Sequence, residues 1–541
     1  MSLFSSAIVS PSDGADSWHF VAYDQLNLRL LPKFSDPHSL GLIFIETSWK
    51  AEQLPYHKQK LALLLSNQRH FALEMQSIGH PIKYIFSDKE YSEILNELFC
   101  EIGKISVISP AELSLRKSII ELENSGKVEV SSHKGWLTSS EEFKSIMGDN
   151  PPWRMDKFYR NIRKSHQIML DEKHKPLGGA WSLDNQNRHP WDGSVELPAK
   201  ISFVTDEITE EVISLIETKF SHHPGEIVRE NIPSSSTDAS KLWDWAKENV
   251  MFSFGPFEDA MTKEHKTLFH TTVSSLLNLN RLMPKELLDD VLEMEIPINS
   301  KEGFVRQLIG WREFVRHVHE ITNGFEITDV PSQSRNAAGW PGNWPKSRIT
   351  PNVLGNDLEL PSVFWGGKSG MLCLDSAVSD VINTGYTHHI PRLMVLSNIG
   401  NLLGVHPREL TDWFWSMFTD AYDWVVEPNV LAMGTYAVGD IMTTKPYVSG
   451  TPYIKKMGDY CGDCSLHFKK SCPISDMYWN FLEENKDIFS NNHRMSMPMR
   501  ALSKRTSLTK NNSKQVTEYV RSQLSKGLEL DPLIIESIKY N

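Results

Sequence analysis

The stretch from residue 40 to residue 86 decides the architecture of the N-terminal part of the chain, and it reads LGLIFIETSWKAEQLPYHKQKLALLLSNQRHFALEMQSIGHPIKYIF. Its two ends, residues 40–46 and 82–86, are short and apolar, which is typical of strands buried on both faces of a parallel sheet. Between them, residues 57–79 have the apolar spacing of a helix that ends at a glycine. A strand, a helix and a strand in this order predict an α/β domain with a parallel sheet and crossover helices.

The same alternation continues along the chain. EYSEILNELFCEIG at 90–103 predicts a helix, and ISVIS at 105–109 predicts another buried strand. No G-x-G-x-x-G follows the first strand, so the sequence does not predict a dinucleotide site there. We therefore expect residues 1–131 to form an α/β, Rossmann-like domain.

The rest of the chain divides into a connector and a second domain. Residues 132–236 are rich in Pro, Gly, Asn and His and predict a long interdomain linker, interrupted by one short helix near residues 155–170. Beyond them, apolar residues follow helical spacing almost throughout and no repeat of fixed period occurs. Residues 237–541 are therefore expected to form an all-α domain.

Composition bounds the class of protein. The chain has 541 residues, more than a single hydrophobic core supports, so at least two domains are expected. With 40% hydrophobic and 23% charged residues it is globular. No apolar run reaches the ~20 residues of a membrane span, and residues 1–20 lack the basic and apolar regions of a secretory signal, so we expect a cytoplasmic protein without membrane association.

The formal net charge of −12 argues against nonspecific binding of nucleic acid over the whole surface of the protein. A local basic site is still compatible with it. Residues 494–526 carry eight Lys and Arg against one acid, Glu518, so the sign of the charge reverses near the C-terminus.

The cysteines provide the sharpest local motif. Cys461, Cys464 and Cys472 lie within twelve residues, and Cys373 lies far upstream. Four thiolates suit either zinc or a [4Fe-4S] cluster, and the spacing by itself leaves both open. A further alternative is that Cys373 is a buried apolar thiol and only three cysteines bind a metal. Cys100, in a predicted helix, is interpreted as a core residue.

Several polar and aromatic segments predict a pocket in the helical domain. His388 and His389 are adjacent and would point about 100° apart on a helix, so that one faces a pocket and the other packs; a purely structural role for both is the alternative. Residues 420–453 alternate polar, aromatic and Gly-rich positions, as at a pocket mouth or in a solvated loop. Trp365 and Trp413 could relay single electrons or simply fill the core.

Taken together, these segments resemble the iron-sulfur bacterial branch of the cryptochrome and photolyase family, whose characterised repair enzymes act on (6-4) photoproducts. The resemblance extends over nearly the whole chain. It rests on YDQL at 23–26, YHKQK at 56–60, RHFA at 69–72, GGAW at 178–181, GFVRQLIGWRE at 303–313, GYTHHIPRLM at 385–394, DAYDWVVEPNV at 420–430 and TKPYVSGTPYI at 444–454.

The resemblance implies the photolyase/cryptochrome fold: an α/β antenna domain, an interdomain linker, and a helical domain that binds FAD and DNA. The residues that match the flavin site are His270, Thr271, Ser274, Asn278, Arg312, Glu313, Arg392, Asp420 and Asn429. The residue that faces flavin N5 falls near Val426 or Glu427. Cys373, Cys461, Cys464 and Cys472 match the [4Fe-4S] ligands, which makes zinc the poorer choice. Asp24 matches an antenna residue, and the antenna expected is 6,7-dimethyl-8-ribityllumazine, although Lys50 stands where a relative carries an acid.

The resemblance also implies residues for repair and for photoreduction. The residues on the lesion side are His388, His389, Met433, Tyr447 and Tyr453, with His389 as proton donor and His388 supporting it. Trp365 and Trp413 match the photoreduction chain, Tyr422 is its third member, and Phe414 stands where a relative carries tyrosine.

The function expected first is therefore a light-driven lyase that reverts (6-4) pyrimidine photoproducts in UV-damaged DNA, acting as a monomer. The alternative is a blue-light receptor of the same fold without repair activity. A third class, an iron-sulfur nucleic-acid enzyme that uses no light, would explain the cysteines and the basic segment. It would leave the flavin segments unexplained.

Overall fold

The N-terminal domain is built on a five-stranded parallel sheet. The computed structural model describes residues 3–9, 15–334 and 349–540. The strand order is β3-β2-β1-β4-β5, with the strands at Ser17–Phe20 (β1), Leu40–Thr47 (β2), Ile82–Ser87 (β3), Ile105–Ile108 (β4) and Val128–Ser131 (β5). Every residue of β2 is buried, as expected of a central strand covered on both faces. The predicted α/β sheet is confirmed.

Helices cover the sheet at the positions that the sequence predicts. They are Leu3–Ala7 (α1), Ser48–Ala51 (α2), Lys58–Ser77 (α3), Tyr91–Ile102 (α4) and Leu113–Asn124 (α5). The ring of His57 caps α3 by accepting a hydrogen bond from the backbone N–H of Gln59. Cys100 is exposed on α4, so its interpretation as a core residue was wrong: it lies on the solvent face of that amphipathic helix.

Residues 132–236 contain three α-helices, where the sequence predicted one. These are Ser140–Met147 (α6), Met155–Ser165 (α7) and Glu207–Lys219 (α8). A capping box between Ser139 and Glu142 starts α6, and Asp206 caps α8. The helix α8 packs on α3 through a buried apolar face that includes Val212 and Ile216. The single-helix expectation failed because the Pro- and Gly-rich composition dominated these local signals.

The second half of the chain is mainly α-helical, as predicted. Its α-helices are Ser236–Asn249 (α9), Ser274–Asn278 (α10), Pro284–Glu293 (α11), Ile298–Val305 (α12), Glu313–Ile321 (α13), Leu372–Thr384 (α14), Asn398–Leu403 (α15), Pro407–Met417 (α16), Asp423–Val426 (α17), Thr451–Met457 (α18), Ile474–Glu484 (α19), Lys486–Phe489 (α20), Ser496–Ser503 (α21), Ser507–Ser525 (α22) and Pro532–Tyr540 (α23). A short antiparallel pair, Ser332–Ser334 (β6) and Ile349–Pro351 (β7), is added. Within the described ranges, none of the helices is both long and apolar enough to cross a bilayer.

Three π-helical segments interrupt these helices, at Arg306–Arg312, Pro391–Ser397 and Glu427–Gly434. A π turn inserts an extra residue into a helix and is frequent at functional sites. All three segments contribute residues to one cavity, as described below.

A buried lysine joins the two halves of the molecule. The ammonium group of Lys60 on α3 donates hydrogen bonds to the carbonyl oxygens of Trp415, at 2.6 Å, and Ala421. It also lies over the rings of Tyr56 and Tyr422, at 5.0 and 5.3 Å from their centroids. Burial lowers the pKa of Lys60 well below its usual range. The helix α3 therefore holds the segment that follows α16.

Replacing this lysine should loosen the interface. In Lys60→Met the side-chain volume is kept but the two buried carbonyls lose their donor, which we expect to cost about 2 kcal/mol of unfolding free energy. Thermal and urea unfolding measure the change. Lys58→Met, two residues earlier and partly exposed, is the matched control and should unfold like the parent. Equal midpoints for Lys60→Met and the parent would show that this contact does not stabilise the interface.

Candidate functional site

Two cavities lie on either side of residues 420–425. The smaller, of about 270 Å³, is in the helical half, and the larger, of about 840 Å³, borders the parallel sheet. Asp420, Trp424 and Val425 line the smaller cavity, whereas Tyr422 lines the larger one. One chain segment thus forms the wall between them.

The smaller cavity collects most of the residues expected around a flavin. Those in its lining are His270, Thr271, Ser274, Asn278, Arg312, Arg392, Asp420 and Asn429, and His389, expected on the lesion side, lines it as well. Each of the three π-helical segments contributes: the first through Arg312, the second through Arg392 and the third through Asn429. Residues as far apart in the sequence as Arg312 and Asn429 are thereby brought to one cavity.

A buried ion pair organises one side of this cavity. Arg392 donates to both carboxylate oxygens of Asp420, at 2.8 and 3.0 Å. The hydroxyl of Ser274 donates to the same carboxylate at 2.6 Å, and the amide of Asn278 donates to the Asp420 carbonyl oxygen at 2.8 Å. Burial alone would raise the pKa of Asp420, but Arg392 and Ser274 hold it below its ordinary value. Ser274 and Asn278 therefore position Asp420 directly.

Arg312 provides a test of whether the lining fits an anionic group. Its guanidinium lies 4.2 Å from the ring centroid of Trp136, and its hydrogen bonds to Glu313 and to the Leu277 carbonyl oxygen are long, at 3.3 and 3.4 Å. Its Nε has no partner among the described residues. Burial lowers the pKa of Arg312 to about 10, so the group remains a cation. A weakly partnered cation in a cavity fits a phosphate.

The rest of the lining suits an aromatic ring system. Phe254, Leu308, Trp311 and Trp424 present apolar or aromatic surface, and Thr271 adds a hydroxyl. Combined with Arg312 and Arg392, these residues fit a cofactor that carries both a flat ring and phosphates. Flavin adenine dinucleotide has this chemistry.

The two adjacent histidines have different surroundings. His389 is exposed to the cavity, whereas His388 is buried and its ring stacks on His270 at 4.3 Å between centroids. Burial, together with the nearby Arg392, lowers the pKa of His389 to about 4 and that of His388 well below its usual value. Burial likewise lowers the pKa of His270 to about 3. All three rings are neutral at pH 7.

Some expected site residues lie outside the lining of this cavity. Glu313 is buried and turned away: its carboxylate accepts from the backbone N–H groups of Leu137 and Thr138, at 3.1 and 3.0 Å. Met433 is buried in the core. Glu427 accepts from Arg408 and contacts His319 at 2.8 and 2.9 Å, in a fully buried network.

Tyr447 and Tyr453 belong to a charged rim instead. The hydroxyl of Tyr453 donates to Asp259 at 3.2 Å, and burial raises the pKa of the Tyr447 phenol with Asp184 adding to the shift. Arg306 links this rim to the cavity by pairing with Asp184 at 3.1 Å and with Glu258 at 3.2 Å. The cavity residue Gln307 also donates to Glu258, at 2.6 Å.

The thiols of the four cysteines expected to bind a metal are close enough to influence Cys373. Burial, with Cys472, Cys464 and Cys461 adding, raises the pKa of Cys373 well above its usual value. The hydroxyl oxygen of Thr451 lies 3.3 Å from the Cys472 sulfur. Among the residues that the structure describes, no three His, Cys, Asp or Glu are placed to hold a single metal ion.

The aromatic residues expected to carry electrons divide between two places. The fully buried Trp413 donates its indole N–H to the carbonyl oxygen of Phe364 at 2.9 Å, next to Trp365 in the sequence, and Trp365 is partly exposed. Tyr422 instead stacks on Tyr23, at 6.1 Å and 20°, beside the larger cavity.

The larger cavity lies where the sheet order reverses, between β1 and β4, which is the usual ligand position of an open α/β sheet. Tyr23 and Lys50 line it, and both contact the carboxylate of Glu112. Asp24 lies behind this lining, where burial raises the pKa of its carboxyl to about 7. The expected antenna residue is therefore adjacent to the cavity rather than part of its surface.

The sequence interpretation missed several lining residues, among them Gln307, Trp311 and Trp424. Gln307, Trp311 and Val315 recur at four-residue spacing on the face that also carries Arg312. This helical spacing is visible in the sequence and could have identified these residues as one face of a helix.

Comparison with known proteins identifies relatives of this chain. A family model described as deoxyribodipyrimidine photo-lyase-related protein matches residues 19–231. A (6-4) photolyase of Agrobacterium fabrum (strain C58 / ATCC 33970) is 29% identical over 480 residues, which covers 84% of this chain and 89% of that protein.

Solved structures share the fold. A bacterial class III photolyase from Agrobacterium tumefaciens superposes with a TM-score of 0.54 at 13% identity, covering 96% of this chain and 99% of that one. The cryptochrome of Synechocystis sp. PCC6803 superposes with a TM-score of 0.52 at 13% identity, covering 88% and 94%. The predicted fold class is confirmed.

The neutral histidines of the site predict acid sensitivity. The folded protein keeps His270 and His389 neutral down to about pH 3 and 4, whereas an unfolded chain protonates histidine near pH 6.5. Unfolding therefore takes up protons in this window, and the unfolding free energy falls as the pH decreases from about 6.5 towards 4. Thermal midpoints measured across that range should decrease steadily.

A single substitution tests the assignment. In His388→Asn, the number of protons taken up on unfolding between pH 5 and 6 should fall by about one. His38→Asn is the control, since His38 is exposed and its ring is solvated in both states. An unchanged pH dependence in His388→Asn would contradict a neutral, buried ring.

Proposed function

Because the chain belongs to the photolyase-related family, we propose that it is a light-driven DNA repair lyase that reverts (6-4) pyrimidine photoproducts. The observation that carries the proposal is the cavity in which Arg312, Arg392 and His389 meet an aromatic lining. The (6-4) photolyase relative at 29% identity supports the choice of lesion.

FAD is the proposed cofactor of the smaller cavity. Arg312 would hold its phosphates, and the aromatic residues Trp311 and Trp424 would flank its rings. Bound there in its reduced form, FAD would supply one electron to the lesion on illumination and take it back afterwards. The Arg392–Asp420 pair keeps the cavity open by fixing the wall between the two cavities.

His389 is the proposed proton donor. It is the histidine of the pair that is exposed to the cavity, and it can therefore meet a nucleotide that enters there. His388 supports it from behind through the stack on His270. Tyr447 and Tyr453, at the charged rim, would contact the nucleotide that enters, and buried Met433 would pack beneath that site.

A [4Fe-4S] cluster is proposed for Cys373, Cys461, Cys464 and Cys472. The support for the cluster is that all four cysteines match the ligand set implied by the resemblance, and that Cys461, Cys464 and Cys472 lie close enough to Cys373 to raise the pKa of its thiol. The larger cavity is proposed to take the antenna, for which we keep 6,7-dimethyl-8-ribityllumazine.

The proposed domain roles follow the same division. Residues 1–131 would bind the antenna, residues 132–236 would link the domains, and residues 237–541 would bind FAD, DNA and the cluster. A blue-light receptor of the same fold is the second candidate, and the cryptochrome that shares the fold supports it.

Illuminated repair separates the two candidates. Purified protein under blue light with a reductant should restore an oligonucleotide that contains one (6-4) photoproduct, and should not do so in the dark. His389→Ala should still bind the damaged oligonucleotide but repair it at least about a hundredfold more slowly, because it lacks the proton donor. His38→Ala, at an exposed position, should repair like the parent.

Two outcomes would count against the proposal. Flavin-loaded protein that binds the lesion but leaves it unrepaired under light would favour the receptor. Repair at the parental rate by His389→Ala would exclude His389 as the donor.

The proposed electron relay has its own test. Trp413→Phe and Trp365→Phe should slow photoreduction of the oxidised cofactor, because phenylalanine is much harder to oxidise, while repair by chemically pre-reduced protein stays unchanged. Trp479→Phe, whose ring packs against Tyr478 and Arg505, is the matched control. Transient absorption measures photoreduction, and parental rates in both relay variants would show that electrons take another route.

A further inference from the structure

A third pocket, of about 390 Å³, lies beside the cysteine loop. It is distinct from both cavities described above, and its lining consists of Thr451, Pro452, Lys455, Lys456, Phe468, Lys469 and Ser475. It contains three cations and no carboxylate.

The lysines around this pocket are free of ion pairs with described carboxylates, although the chain carries a net charge of −12. Lys455, Lys456, Lys469 and Lys470 are all exposed. Four lysines near this region do form ion pairs: Lys263 with Asp463, Lys486 with Glu483, Lys510 with Glu483, and Lys539 with Asp476. Unpaired like charges that are held together repel one another, so the pocket is suited to an anion.

Phe468 fixes the position of the cations. The Lys455 ammonium lies 3.3 Å from the centroid of the Phe468 ring, and Lys469 lies 5.6 Å from it. His467 stacks on the same ring at 5.0 Å. The ring of Phe468 is thus in contact with three side chains of this loop and helix, two of them lysines whose positions it fixes.

The loop that carries these residues is held at both ends. At one end, the carbonyl oxygen of His467 accepts hydrogen bonds from the backbone N–H groups of Lys470, Ser471 and Cys472, each at 3.0 Å. Below it, the hydroxyl of Ser475 accepts from the Thr451 N–H and donates to the Thr451 hydroxyl, both at 3.1 Å. The cations are therefore presented from an ordered surface.

The pocket also adjoins the proposed lesion side. Helix α18 carries Lys455 and Lys456 in the pocket, and it carries Tyr453, whose hydroxyl bonds Asp259 at the charged rim. A DNA strand that reaches Tyr453 would pass close to Lys455 and Lys456, which follow Tyr453 on the same helix.

We propose that this pocket binds a backbone phosphodiester of the damaged DNA, flanking the lesion. This inference rests on the proposed DNA substrate and assigns a phosphate subsite for it. Lys455 and Lys469 neutralise the phosphate, and Lys456 and Lys470 extend the positive surface along the strand. Free phosphate would meet the same donors, so the test includes it.

The test is the salt dependence of DNA binding. The double variant Lys455→Gln, Lys469→Gln should bind a lesion-containing oligonucleotide about tenfold more weakly at low salt, and the slope of log Kd against log salt should fall by about one to two. Repair of bound, saturating oligonucleotide should proceed at the parental rate. Lys241→Gln removes an exposed lysine that likewise lies over an aromatic ring, that of Phe203, and should match the parent.

A positioning variant adds an independent readout. Phe468→Leu keeps all the lysines but releases Lys455, so it should weaken binding by a smaller factor and leave the salt slope nearly unchanged. Thermal midpoints equal to the parent's verify that each variant is folded.

The outcomes distinguish this inference from the proposed function. Parental affinity and slope in the folded double variant overturn the phosphate subsite, whether or not the protein repairs DNA. Displacement of the oligonucleotide by millimolar inorganic phosphate at constant ionic strength, in the parent but not in the double variant, would assign the pocket to free phosphate instead. Strong, lysine-dependent binding without repair would refute the lyase and leave the subsite standing.

Discussion

The buried carboxylate of Asp420 is the interaction on which the site depends. Removing a carboxylate from water costs several kcal/mol unless charged and polar donors replace the lost hydration. Arg392 and Ser274 supply these donors, and they come from a π-helical segment and from α10. Arg392 and Ser274 thereby tie these two elements to the segment that carries Asp420.

The same segment also links the site to the N-terminal domain. Lys60 binds carbonyl oxygens on both sides of it, at Trp415 and Ala421, and the backbone N–H of His57 donates to Ser416. The buried apolar core is continuous from Trp18 to Ile535. The geometry of the cavity in the helical half is therefore fixed partly by a helix of the α/β half.

Sequence patterns predicted the sheet well, because strands such as β2 that are buried on both faces must be apolar along their length. They predicted the connector poorly, because α6 and α8 are amphipathic helices between Pro- and Gly-rich turns. In the site, helical phase predicted that one of the adjacent histidines faces a pocket while the other packs, and in the structure His389 is exposed to the cavity while His388 packs on His270. Arg312 and Glu313 are also adjacent, and both were expected at the flavin site. The carboxylate of Glu313 instead accepts a hydrogen bond from the backbone N–H of Thr138 in the connector. The π-helical segments leave no trace in a 3.6-residue pattern, so the convergence of Arg312, Arg392 and Asn429 required the structure.

In the proposed function, the wall between the cavities would separate two routes, one for electrons and one for excitation. Trp413 leads through the Phe364 carbonyl group towards the partly exposed Trp365, which is a path to the surface. Tyr422 leads the other way, onto Tyr23 and the larger cavity, and burial together with Asp24 and Asp420 raises the pKa of its phenol well above the usual value. A phenol that holds its proton this firmly is hard to oxidise unless a base accepts the proton, and no indole of the tryptophan path has that requirement. The tryptophans are therefore better suited to pass electrons outward, while Tyr422 is better suited to separate the two cavities as a neutral aromatic wall.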